Sequence, residues 1–227
     1  MCVAVFPLFA DEKISFDVNK IFANKNNLIE NTFVSPDGSK GLICYRQGGA
    51  GDYFISLYDL RSNKIIAESK TQWWCRGVRW TDDYLVYTWA TTGGGWRFEY
   101  RNYKNLSVEK LVTSYHPFEE PEENLLFDTN YMCGNSDIGI AVYNYSNGEE
   151  IKVFNFIDEL YRSLWTSGEP KITLLGKSGK GIFAHIYSIE NFSKTGKGKY
   201  SFVMNYVFQI EDEEESEYRS TVMEIEL

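Results

Sequence analysis

The chain repeats one pattern of turns and apolar strands about 46 residues apart. In the first copy, the short apolar stretch at residues 32–34 precedes the turn Ser35-Pro36-Asp37-Gly38, and the apolar run at residues 41–45 follows it. In the second copy, Thr81-Asp82-Asp83 occupies the place of that turn. Proline presets φ and glycine accepts positive φ, so these residues favour tight turns between strands. A period of this length is typical of sheets of four antiparallel strands.

Each copy contains four strand-like segments separated by turn residues. The first copy spans residues 32–69 and the second spans residues 75–112. A more degraded copy follows at residues 124–156, and a fourth unit ends the chain at residues 171–227. A short helix is predicted over residues 156–165, where apolar side chains recur with helical spacing. The pattern therefore predicts a series of antiparallel meanders.

Residues 35–45 and 53–69 resemble one blade of the Tol-type β-propeller repeat, a relative of the WD40-like repeats. The resemblance is clearest over residues 32–112. It implies an all-β chain, either a small β-propeller or a propeller-like array of four-stranded antiparallel meanders. A β-sandwich is the alternative. The repeat marks a fold and no activity, because such propellers serve many unrelated functions.

The composition is that of a folded, acidic protein. The 227 residues are 43% hydrophobic and 16% aromatic, and 32 acidic residues exceed 23 basic ones, for a net charge of −9. An acidic surface repels phosphate backbones, so we do not expect a nucleic-acid partner. The same charge favours a basic protein partner. No apolar run is long enough to predict a membrane span.

Residues 1–10 allow two interpretations. Their apolar run ends at Ala10, before Asp11 and Glu12, and resembles the back half of a secretory signal cleaved after Ala10. It lacks a basic start, so it could equally be an N-terminal strand. We expect a periplasmic or secreted protein with one propeller-like domain at residues 11–227, and a cytoplasmic protein is the alternative.

Four cysteines occur, and none of them form a C-x-x-C pair: Cys2, Cys44, Cys75 and Cys133. Zinc and thioredoxin-type sites therefore lack their usual signature. We expect the thiols to be buried as small apolar groups. If the first ten residues were removed, the three remaining cysteines would allow one disulfide and one free thiol. No metal or cofactor is expected.

Catalytic signatures are missing from the sequence. Its two histidines are His116, in an acidic loop, and His185, in an alternating strand pattern. The glycine-rich stretch at residues 176–181 has the wrong spacing for a nucleophile elbow or a phosphate loop. An enzymatic or sugar-binding function stays open as an alternative to protein binding. It would be that of a glycoside hydrolase or carbohydrate-binding module that uses the Trp-rich second copy. Its candidate carboxylates are Asp82, Asp83 and Glu99, although turn chemistry explains the first two.

Two features predict binding to another macromolecule. Tryptophans with arginines beside them are typical of binding hot spots, and an acidic hairpin tip covers residues 211–217. The candidate partner-binding residues are Trp73, Trp74, Arg76, Trp96, Glu213, Glu214 and Glu215. A second acidic loop lies at residues 116–123, and a basic one lies at residues 193–199. The sequence thus predicts a non-catalytic protein that binds a protein partner, with an immunity protein or inhibitor as one form.

Overall fold

Short antiparallel strands build nearly all of the structure, which is a computed structural model. It describes residues 27–48, 51–133, 137–166, 182–210 and 216–227. These residues form fifteen strands, one α-helix and one 3₁₀ turn. The chain divides into two compact units. The first comprises Met1–Cys75 with Tyr103–Ser107, and the second comprises Arg76–Asn102 with Val108–Leu227. The expectations for residues 1–10 and 176–181 lie outside the described residues.

The first unit contains one four-stranded sheet whose strands lie side by side in chain order. These strands are β1 (Asn27–Val34), β2 (Lys40–Gln47), β3 (Tyr53–Asp59) and β4 (Lys64–Thr71). The two central strands are buried along most of their length, and Ile43, Tyr45 and Tyr58 form a core cluster. The edge strand β4 alternates between exposed and partly buried residues over most of its length.

The turn between β1 and β2 is closed by its own polar side chains. Asp37 accepts hydrogen bonds from the Ser35 hydroxyl at 2.6 Å and from the Ser39 backbone N–H at 3.0 Å. These bonds hold the pKa of the Asp37 carboxyl well below its ordinary value. Gly38 has a φ of 67°, which suits glycine. The predicted turn is confirmed.

The second unit contains three sheets. The first has strands β5 (Gly77–Trp80), β6 (Tyr84–Ala90), β7 (Trp96–Asn102) and β8 (Val108–Ser114). The second has strands β9 (Pro117–Glu120), β10 (Leu125–Met132), β11 (Ile138–Asn144) and β12 (Glu150–Phe154). Three strands make up the last sheet as described: β13 (Ile182–Gly196), β14 (Lys199–Ile210) and β15 (Glu217–Glu226). The fold class is the predicted one, a propeller-like array of antiparallel meanders.

Two local elements differ from their predictions. The acidic segment at residues 116–123 was expected to be a loop, but it contains β9, which pairs with β10 at the edge of the sheet as described. Proline is tolerated there because Pro117 is the first residue of an edge strand. The predicted helix is present as α1 (Ile157–Thr166), shifted by one residue. The Ile157 backbone N–H donates to the Asn155 side chain at 3.1 Å and so caps its start.

Successive sheets of the second unit pack through a few specific contacts. The Arg79 guanidinium lies 3.1 Å from the centre of the Tyr145 ring, which joins the first of its sheets to the second. Ser114 donates to the buried Asp128 at 2.8 Å across the same boundary. An aromatic cluster that includes Phe127 and Tyr200, with ring centres 4.6 Å apart, joins the second sheet to the third. Among the described residues, no helix is long and apolar enough to cross a membrane.

Candidate functional site

The exposed tryptophans lie on a short strap, residues 71–75, that follows β4 in the first unit. Trp73 is 36% exposed and Trp74 is 46% exposed. Both ends of the strap are buried, at Thr71 and at Cys75. The Thr71 hydroxyl donates to the Trp73 carbonyl at 3.2 Å, which fixes the first turn of the strap. The backbone is thus held on either side of two indoles that face solvent.

The strap leaves the sheet at an end that carries further apolar and aromatic side chains. Leu28, Arg46, Tyr53 and Thr71 are successive register partners across the four strands. Directly opposed residues point to the same face of a sheet, so this row shares one face. Leu28 is exposed, and the Arg46 guanidinium lies 6.0 Å from the centre of the Tyr53 ring. We call this row, together with Trp73 and Trp74, the tryptophan end of the first sheet.

The other predicted partner-binding residues lie elsewhere in the chain. Arg76 is exposed and belongs to the second unit, where its backbone N–H donates to the Thr88 carbonyl at 2.8 Å. Trp96 lies on β7 of that unit and packs, half-buried, against a core cluster that includes Phe98. Glu213, Glu214 and Glu215 lie outside the described residues. Among the described members of the predicted set, only Trp73 and Trp74 are neighbours within the first unit.

The Glu99 side chain belongs to a buried cluster of charged and polar groups. Its carboxylate accepts from the Trp89 indole N–H at 2.9 Å and from the Arg101 Nε at 2.8 Å. Asp82 and Asp83 are exposed at the tip of the β5–β6 hairpin. Glu99 lies opposite a residue four positions beyond Asp83 along β6, which separates the backbones by about 13 Å. Glycosidase carboxyls are about 5–9.5 Å apart, so this spacing does not favour a glycosidase pair between Glu99 and Asp83.

The acidic and basic loops meet each other in the second unit. Lys194 contacts Glu123 at 2.8 Å and Glu120 at 3.3 Å. The Tyr200 hydroxyl donates to Glu123 at 2.7 Å, and the Gly198 backbone N–H donates to the same carboxylate at 3.1 Å. The Lys194 ammonium and the Tyr200 hydroxyl together hold the pKa of Glu123 at about 2, below its ordinary value of 4.5. We call this group the Glu123 clamp.

A shallow recess of about 550 Å³, open to solvent, lies beside the Glu123 clamp. It is lined by Glu122, Glu123, Lys194, Thr195, Gly196 and Lys197. Its walls carry two acidic and two basic residues, and the clamp already pairs Glu123 with Lys194. The opposite charges of the two loops were visible in the sequence, but their contact depends on residues 71 positions apart. Sequence reasoning therefore missed the clamp.

The histidines have structural partners. The His185 Nδ1 lies 3.1 Å from the Asp137 carboxylate, which also accepts from the Ile186 backbone N–H at 3.3 Å. The His116 carbonyl accepts from the Thr129 hydroxyl at 3.0 Å. Within the described ranges, no group of three His, Cys, Asp or Glu side chains is placed to hold a metal ion.

No protein-family model and no curated protein matches the chain. Among solved structures, it is similar to an uncharacterized protein, lmo1340, from Listeria monocytogenes EGD-e. The identity is 12% and the TM-score is 0.37, over 85% of this chain and 52% of that one. A prolyl endopeptidase matches with 13% identity and a TM-score of 0.39, over 86% and 28%. The Dos1 propeller matches with 9% identity and a TM-score of 0.28, over 85% and 47%. The chain thus spans 28% to 52% of these three proteins.

Proposed function

We propose that this protein is a non-catalytic binding protein that engages a protein partner through the tryptophan end of the first sheet. The observation that carries the proposal is the pair of exposed indoles between two buried anchors, Thr71 and Cys75. Tryptophan and arginine dominate protein-binding hot spots because they bury a large area with a few directed polar contacts. Neighbouring exposed tryptophans are uncommon on a protein surface that has no interaction site.

The strap is suited to binding because its backbone and its tryptophan side chains would lose little conformational freedom in a complex. Immobilising a rotamer-rich side chain costs about 0.5–1.5 kcal/mol on association. Tryptophan has only two side-chain torsions, and the hydrogen bond from Thr71 already holds the backbone at Trp73. A larger share of the energy from burying the indoles is therefore left for affinity. Loss of a hot-spot residue costs about 2 kcal/mol or more, roughly a thirtyfold change in Kd.

The net charge of −9 supports a basic partner, because opposite charge speeds encounter. Glu120 and Glu123 contribute little to that attraction, since Lys194 pairs with both. The acidic segment at residues 211–217, with Glu213, Glu214 and Glu215, is the better source of steering charge. Small acidic proteins that neutralise basic toxins combine these properties, so an immunity protein or inhibitor is the specific form proposed. The Tol-type resemblance supports a periplasmic or secreted setting.

Affinity capture from the source organism, followed by mass spectrometry, tests the proposal. Proteins retained by the wild type should be lost with the double variant Trp73→Ala/Trp74→Ala. They should be retained with Ile65→Ala, a matched control that removes an exposed apolar side chain from the same strand-and-strap segment. If the double variant captures the same proteins as the wild type, the tryptophan end is not the binding surface.

Charge reversal at Glu213, Glu214 and Glu215 tests the steering. It should lower the association rate with the captured partner and leave the dissociation rate nearly unchanged, because rim charges act mainly on encounter. A glycan array tests the carbohydrate-binding alternative, which uses the Trp-rich second copy of the repeat. A sugar signal that disappears with Trp96→Ala would support the carbohydrate-binding alternative and overturn the protein-binding proposal.

A further inference from the structure

We propose that Cys44 and Cys75 form a reversible disulfide, made by exchange with a low-molecular-weight disulfide, that ties the strap bearing Trp73 and Trp74 to strand β2. The proposal concerns a covalent modification of the first unit. It does not rest on the binding function proposed above, and it can fail or succeed without it.

The two thiols meet inside the first unit. Cys44 lies on the central strand β2 and is 2% exposed, and Cys75 ends the strap and is 4% exposed. Asn31 is the register partner of Cys44, and its side-chain amide donates to the Cys75 carbonyl at 3.3 Å. The backbone at Cys75 is therefore fixed beside the strand pair that carries Cys44.

The two buried thiols are neighbours on this side of the strand pair, because the residue opposite Cys44 bonds the backbone of Cys75. The neighbouring Cys75 thiol, together with burial, raises the pKa of Cys44 well above its ordinary value. A disulfide requires the two sulfurs to approach to 2.03–2.05 Å, and side-chain rotation can supply such an approach between neighbouring cysteines. Cys133 has a different partner, since its thiol lies 3.7 Å from the Phe154 carbonyl oxygen. The structure thus selects one pair among the described cysteines.

The exchange begins at Cys75. This residue lies in an irregular segment beside exposed side chains, whereas Cys44 is held within a central strand and stays protonated. The Cys75 thiolate, having lost its proton to water, attacks one sulfur of oxidised glutathione, and one glutathione thiolate leaves. The Cys44 sulfur, deprotonated in turn, attacks the Cys75 sulfur and expels the second glutathione. Two protein thiols lose two protons and two electrons, and one glutathione disulfide becomes two glutathione thiols.

Trypsin gives a direct test of the pairing. Cleavage after Lys40, Arg46, Lys70 and Arg76 places the two cysteines in separate peptides, GLICYR and TQWWCR. After incubation of the folded protein with oxidised glutathione and alkylation of free thiols, we expect these peptides to be joined. Dithiothreitol should separate them and make both alkylatable. If both peptides stay fully alkylated after oxidation, or if either is joined to Cys133 within a monomer, the proposal is wrong.

Single variants test the order of the exchange. Cys44→Ser should accumulate glutathione on Cys75, because the resolving thiol is gone. In Cys75→Ser, glutathione should label Cys44 at least about tenfold more slowly, because that thiol is buried in a central strand. Equal labelling rates in the two variants would overturn attack through Cys75. The wild-type peptide test does not depend on either variant folding.

Hydrogen exchange tests the tether itself. The peptide at residues 71–76 should exchange more slowly in the oxidised protein than in the reduced protein. Cys44→Ser/Cys75→Ser should show no difference between the two conditions. Equal exchange in the oxidised and reduced wild type would show that the bond does not restrain the strap. None of these measurements uses a binding partner, so their failure is distinguishable from failure of the binding function.

Discussion

Arg101→Met should destabilise the second unit strongly, because it leaves the buried Glu99 carboxylate without its cation. Arg101 directs its Nε and one terminal N–H to the same Glu99 oxygen, at 2.8 Å and 2.5 Å, and the two side chains are only 4% and 9% exposed. A hydrogen bond to a charged group contributes about 1.5–3 kcal/mol. Removal of one partner of a buried ion pair costs about 3–5 kcal/mol in total. Methionine keeps most of the apolar volume, so the loss reports on the charge.

Chemical denaturation followed by circular dichroism measures the change in the free energy of unfolding. The double variant Glu99→Gln/Arg101→Met is the control, because it removes both charges and keeps a side-chain oxygen for the Trp89 indole N–H. Its unfolding free energy should lie within about 1.5 kcal/mol of the wild-type value, because both replacements keep most of the side-chain volume. If Arg101→Met alone costs less than about 1 kcal/mol, or if the double variant is as unstable as the single one, the assignment of a structural ion pair is refuted.

Four further substitutions test the roles of single residues. The lowered pKa of Glu123 makes its ionised form stabilising, so stability should fall as the pH drops from 4.5 towards 2, and Glu123→Gln should lack that fall in thermal unfolding. Burial raises the pKa of Asp128, so stability should fall as the pH rises above 3.8, and Asp128→Asn should become relatively more stable at neutral pH. Gly148→Ala should cost more than 2 kcal/mol in denaturation, because its φ is 70° and the new Cβ would lie 2.5 Å from the buried Tyr100 ring. Gly94→Ala, with φ of 84° and open space, should show only the conformational cost of about 1–2 kcal/mol.

The strands of the first two sheets could be predicted because local chemistry specifies them. The turn at Asp37 closes on side chains within four residues, and the two-residue turn after Thr81 is closed by that hydroxyl. Such signals are local and survive in a sequence. Strand β9 was missed because it has only four residues, begins with proline and owes its pairing entirely to β10. Nothing within Pro117–Glu120 itself distinguishes it from a polar loop.

The candidate site could be predicted from the sequence less well than the strands. Adjacent tryptophans in a strand pattern predict one buried and one exposed ring. Both are exposed because β4 ends at Thr71, so Trp73 and Trp74 lie on an irregular strap and do not follow the alternation of a strand. Trp96 shows the opposite outcome, since it continues within β7 and packs against a core. The end of a strand, which sequence patterns locate to within a few residues, decides which aromatic side chains reach solvent.

The connection after the fourth strand is the part of the repeat in which a surface can vary at least cost. In the second unit, β8 also ends on a buried hydroxyl residue, Ser114, and the next residue, Tyr115, is exposed. Only two residues, the exposed Tyr115 and His116, separate β8 from β9. The connection after β4 is longer, so it displays two indoles and still returns to the interior at Cys75. The repeated strands therefore fix the position of the surface, and the length of the connection determines what it presents. The proposed disulfide between Cys44 and the buried Cys75 at the far end of this connection would hold it in place covalently.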